Sequence, residues 1–163
     1  MTQSTFDALM AFVQTTLEAV DGIGKVFRAD RLDSGGKFIY DKLTEDGVRH
    51  FWTIMRHSYS EERFDVEGSM VRTHNITLHG VRAYGDDDTY TATSEKAWNT
   101  LLEKISDAFR DPHVFDVTLG DRAAGQASPM QLTTNEKRVL QPDSRMSHYA
   151  EFLLTPQEVI PVS

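Results

Sequence analysis

Residues 48–56 read VRHFWTIMR, residues 57–69 read HSYSEERFDVEGS, and residues 70–84 read MVRTHNITLHGVRAY. The outer two segments are strand-like and the middle one is polar. In the second, Ile76 and Leu78 alternate with Asn75, Thr77 and His79, the period of two of a half-buried strand. The first carries Phe51, Trp52, Ile54 and Met55, so both of its faces are apolar. Such a strand is central in a sheet or covered on its second face by a partner. The two together predict a long antiparallel hairpin with a large charged connection.

On either side of the hairpin stand helices. Phe6, Leu9, Met10, Val13, Leu17 and Val20 recur at three- and four-residue spacings, which predicts a helix over 4–20. Ser4 is its candidate cap and Asp21-Gly22 its end. Ile23-Gly24 then turns the chain into a short strand over 25–28. Trp98, Leu101, Leu102, Ile105 and Phe109 form one stripe of a second helix over 93–110, capped by Thr91, Thr93 or Ser94 and stopped at Asp111-Pro112.

The last third alternates again. Phe115, Val117 and Leu119 predict a strand over 114–119, followed by a Gly/Ala/Ser loop over 120–129. Residues 130–140 read as a weaker strand interrupted at Asn135-Glu136-Lys137. Pro142-Asp143-Ser144 is a turn, and Ala150, Phe152 and Leu154 mark a firm strand over 148–154. Pro156 and Pro161 bracket a partly apolar tail. Residues 29–47 are irregular, with Phe38, Ile39, Tyr40 and Leu43 too apolar to hang free in water. The order helix, strand, hairpin, helix, strands predicts an α+β fold: a mostly antiparallel sheet with two helices packed on one face, in one domain over 1–163.

Composition bounds the function. The 163 residues hold 39% hydrophobic and 26% charged side chains, ordinary for a globular chain. There is no cysteine, which removes disulfides, thiolate metal sites and a cysteine nucleophile. The first ten residues show no signal peptide, and no window approaches the roughly 18 apolar residues of a membrane span. A cytoplasmic setting is therefore expected. The net charge of −8 argues against an extended nucleic-acid-binding face.

No motif carries chemistry. The six histidines show no HExxH or comparable ligand spacing. His74 and His79 are an odd number apart, so a regular strand points them to opposite faces. Asp86, Asp87 and Asp88 lack the alternate spacing of a calcium loop and read as a solvated turn ahead of a helix. There is no GxSxG. The DGIGK run at 21–25 follows a helix and precedes a strand, the reverse of a phosphate loop. No catalytic residue, metal or cofactor is expected.

Five segments and a late strand carry a resemblance. They are GIGKVFRADR at 22–31, FWTIMRH at 51–57, HNITLHGVRAYGDDD at 74–88 and ISDAFRD at 105–111, after an N-terminal helix and before HYAEFLLT at 148–155. Over residues 5–155 the chain resembles the tail terminator (tail completion) proteins of long-tailed bacteriophages and prophages. The resemblance implies a non-enzymatic virion protein of the tail or neck, assembled in the host cytoplasm. Such proteins form a hexameric ring on the tail tube, stop its polymerisation and offer a surface to the head connector. Its partners would be itself, the tail tube protein and neck proteins, with DNA passing the lumen unbound and no membrane involved. The 29–47 segment is longer than the family pattern. The alternatives are another phage structural protein, such as a tail tube subunit or head–tail connector adaptor, or a small ligand-binding α+β domain or enzyme, which a pocket lined by His50, Arg72 and His74 would favour. The interface candidates are Phe38, Tyr40, Phe51, Trp52, Tyr59 and Phe64, with Asp86, Asp87 and Asp88. The acidic 58–68 connection, with Tyr59, Phe64 and Val66 as apolar anchors, is expected to be a docking loop and not core.

Overall fold

The computed structural model describes residues 5–28, 44–45, 48–84, 92–115, 123–140 and 145–160. Helix α1 spans Thr5–Glu18 and α2 spans Ala92–Ala108. The strands are β1 (Lys25–Arg28), β2 (Thr44–Glu45), β3 (Val48–Arg63), β4 (Met70–Ala83), β5 (Ala123–Gln126), β6 (Gln131–Leu140), β7 (Arg145–Leu154) and β8 (Pro156–Ile160). They join in one sheet with the path β1-β3-β4-β7-β6. β8 adds to the far half of β4 and carries β5, while β2 pairs with the start of β3. All pairings are antiparallel except β1 on β3. This is the expected α+β sheet with both helices on one face.

The core forms between that face and the helices. Trp52 and Ile54 of β3, Ile76 and Leu78 of β4, and Ala150, Phe152 and Leu154 of β7 are buried against Leu9, Met10, Val13 and Leu17 of α1 and Trp98, Leu102 and Ile105 of α2. The helices bury these residues because their spacing puts them on one stripe. Trp52 and Trp98 stack with ring centroids 5.8 Å apart, and Phe152 lies 6.0 Å from Trp52. Each large side chain buried here contributes about 1.5–3 kcal/mol. The turn from α1 into β1 uses Gly22 and Gly24 at φ of 81° and 80°. A Cβ at Gly24 would lie 2.8 Å from the His50 ring, so that position takes no other residue without a shift. Just past the end of α2, the Gln126 amide of β5 donates to Phe109 O at 2.9 Å and Asp111 O at 3.2 Å.

Several expectations change. β3 does not stop near Met55; it runs to Arg63 and pairs with β4 down to Arg63↔Met70. The large connection is thus mostly strand, because a bulge between Arg56 and Ser58 resets the register and lets pairing continue. β6 is continuous through Asn135-Glu136-Lys137, whose polar side chains stand on a strand paired only with β7 among the described residues. β5 lies inside the expected loop, and Pro156 opens β8; a strand's first residue tolerates proline. Val114 and Phe115 lie in a turn, not a strand, although Phe115 is fully buried. Phe38, Tyr40 and most of 29–47, the run Asp86–Asp87–Asp88, the Ser4 cap and Pro142-Asp143-Ser144 lie outside the described residues.

Candidate assembly surface

Past its bulge, every β3 residue from 57 to 63 of the β3–β4 ribbon is exposed. Phe64 and Val66 at the tip are 60% and 101% exposed. The tip is an ordered six-residue turn over 64–69. The Phe64 amide donates to Ser69 O at 2.7 Å, the Ser69 amide to Asp65 Oδ1 at 3.0 Å, and Gly68 takes φ of 100°. The Ser69 amide in particular holds the Asp65 carboxyl below its ordinary pKa.

Tyr59 is 52% exposed but is not a loop residue. It stands opposite His74 on the helix side of the ribbon, with rings 6.3 Å apart. The Arg56 guanidinium lies 4.9 Å from the Tyr59 ring and 4.3 Å from the Phe6 ring of α1. The Arg72 guanidinium lies 5.3 Å from the Tyr59 ring. Arg72 in turn donates to Glu61 at 2.9 Å and to the fully buried Glu158 of β8 at 3.1 Å. Buried His74 has its Nε2 3.5 Å from the same Glu158 oxygen. These charges knit β8 to the outer half of β4, where Arg72 and Glu158 are direct cross-strand partners. Tyr59 is therefore half-exposed but held by charged and aromatic neighbours.

Trp52 has to be withdrawn as an interface residue. It points to the helix face, is fully buried and carries the centre of the core. The strand's apolar content does split across two faces, but its larger half belongs to the chain's own core. Phe51 and the partly exposed Met55 stand on the opposite face. The same open face carries a polar network. Tyr149 Oη donates to Glu151 Oε1 at 2.5 Å and lies 3.2 Å from His79 Nδ1. Burial and the Glu151 bond push the Tyr149 pKa up to about 12, and the tyrosine hydroxyl holds Glu151 below the usual carboxylate range. The Arg138 guanidinium sits 3.9 Å over the Tyr149 ring and pairs with Glu136.

The histidines scatter. His74 faces the helices, His79 the open face, and His148 stacks on Trp98 at 5.4 Å with Ser94 Oγ 2.9 Å from its Nε2. His50 lines an open cleft of about 1050 Å³ between the end of α1 and α2, with Arg82, Lys96, Lys104, Glu18 and Asp21. Burial first, and Arg82 second, lower the His50 pKa to about 4. Arg72 and His74 sit at the other end of β4, so a shared pocket with His50 does not form. Among the described residues, no group of three or more His, Asp or Glu side chains is placed to hold a metal. No described helix is long and apolar enough to cross a membrane. Sequence reading missed the Arg72–Glu158–His74 cluster. Its members are far apart in the chain, and no short-range pattern signals them.

No protein-family model matches the chain, and no curated protein matches it. Among solved structures, it is similar to a chain in the virion of a native gene transfer agent particle. The two are 13% identical, with a TM-score of 0.48 over 96% of this chain and 99% of the other.

Proposed function

We propose that this chain is a structural subunit of a long-tailed phage or prophage particle, and within that class a tail terminator. It assembles as a ring, of six subunits by the family pattern, caps the tail tube and offers its other face to the neck. It performs no catalysis. The observation that carries this reading is the outer half of the β3–β4 ribbon. That half is an ordered, braced β-structure, yet it leaves Tyr59, Phe64 and Val66 open to water. Exposed aromatic residues held on a rigid element are the form of an interface anchor. The segments shared with the terminator pattern include FWTIMRH, in which β3 reaches its bulge. The acidic surface, at net charge −8, suits a lumen through which DNA slides.

A tail tube subunit or a connector adaptor uses surfaces of the same kind and is the second reading. Negative-stain microscopy of the purified chain, alone and mixed with tail tubes, separates them. A terminator gives single rings and capped tube ends. A tube subunit gives long stacks. Strict monomers with bare tube ends overturn both readings.

A further inference from the structure

Among the described residues, the two longest strand edges without a partner lie on opposite sides of the sheet. On one side β1 covers β3 only at 51–54 and β2 only at 48–49, so among the described residues the 57–63 edge of β3 is bare. On the other side β6 pairs only with β7 among the described residues, leaving its second edge bare there along ten residues. Both edges are solvent-exposed, and unpaired edges are templates for another strand.

We propose that subunits join head to tail by pairing the β6 edge of one copy with the 57–63 edge of β3 in the next. The occupant of each edge is a second copy of this chain, and the inference rests on the ring assembly proposed above. Strand direction follows from topology. β3 and β7 run one way and β4 and β6 the other. A copy added with its helices on the same side of the sheet therefore meets β6 antiparallel. A contact between two different patches, repeated by rotation, closes a ring.

The side chains then choose a register. Tyr59 and Glu61 stand on the helix side, as their partners His74 and Arg72 place them. Asn135 and Lys137 stand on the helix side of β6, bonded to Trp98 and paired with Glu95 of α2 respectively. Glu136 and Arg138 face the other way, toward Tyr149. Side chains alternate along a strand, so only registers that match like faces are allowed. Of these, one sets Tyr59 beside Val139 and Glu61 beside Lys137. Both apolar side chains are then covered; each is more than half exposed in the single chain, at 52% and 55%. Glu62 then falls directly opposite Glu136, a like-charge contact screened by Arg138, which pairs with Glu136 and stands on the diagonal to Glu62. Sliding two residues one way sets Arg63 on Lys137. Sliding the other way sets Tyr59 on Lys137 and Glu61 on Asn135.

The chain has no cysteine, so paired cysteines report this contact cleanly. The full chain carrying Glu62→Cys and Glu136→Cys, which the register sets directly opposite on one face, is assembled into rings, oxidised mildly and run on a non-reducing gel. The expected result is a ladder at multiples of the subunit that reductant collapses. Arg63→Cys with Glu136→Cys aims its thiols at opposite faces and should cross-link far less. In parallel, Glu61→Lys or Lys137→Glu alone should lose rings at a concentration where the native chain forms them, and the double swap should regain them. Rings without the ladder, or an equal ladder from the opposite-face pair, overturn the edge pairing and leave the ring reading standing. An absence of rings at every concentration, on tubes and off them, overturns both.

Discussion

The Trp52 indole lies across Gly80, its cross-strand partner, so closely that a Cβ on residue 80 would fall 2.3 Å from the ring. The glycine is thus a seat for the aromatic ring, and the ring then stacks on Trp98. Gly80→Ala should lower stability by about 1–3 kcal/mol through overpacking. Trp52→Ala should cost about 3–5 kcal/mol through the cavity it leaves. Denaturant unfolding of the two variants checks both values. A neutral Gly80→Ala would mean that the indole can move aside.

Replacing Tyr59 and Phe64 together by Ala should leave the fold intact. Both are more than half exposed, and neither belongs to the core cluster. Surface changes of this kind usually stay within about 0.5 kcal/mol, with some added loss here from the Arg56 and Arg72 contacts to Tyr59. Ring formation or tube capping should fall sharply. Unchanged capping by a folded double variant counts against the ribbon as an anchor, and an unfolded variant would place these residues in a folding role.

Glu158 is fully buried beside Arg72 and His74. Removing Arg72 takes a charged hydrogen-bond partner from the buried Glu158 side chain, and breaking such a pair from one side is destabilising. Arg72→Ala should therefore destabilise the chain well beyond an ordinary surface change. Arg72→Ala with Glu158→Leu, which removes both charges, should recover part of the loss. Thermal melts of the single and double variants give the comparison.

His50 is held neutral, with its pKa lowered to about 4 from 6.5. A base with a depressed folded-state pKa binds its proton more readily when unfolded. Its contribution is complete above pH 6.5, and stability declines as pH falls from 6.5 toward 4. The melting temperature should fall over that window, and His50→Gln should flatten the 5–6 part of the curve, above most carboxylate titration. An identical slope in both proteins would show that His50 does not carry the effect.

Local pattern in the sequence was enough for both helices, for the period-two strands of the hairpin and β7, and so for the α+β class. It also separated His74 from His79, because strand alternation needs no tertiary information. Tertiary structure decided where Trp52 points and how far β3 runs. Phe51, Trp52, Ile54 and Met55 are apolar on both faces of the strand, so sequence pattern could not say which face meets the helices. Packing against Trp98 and Phe152 made that choice. The polar residues of 57–63 look like a loop because they have no apolar alternation, yet cross-strand hydrogen bonds with β4 hold them as strand once the bulge at Arg56 resets the register. The buried Glu158 with Arg72 and His74 was invisible for a different reason. Burying a charge is favourable only beside its partners, and those partners arrive from 84 or more residues away through the pairing of β8 with β4.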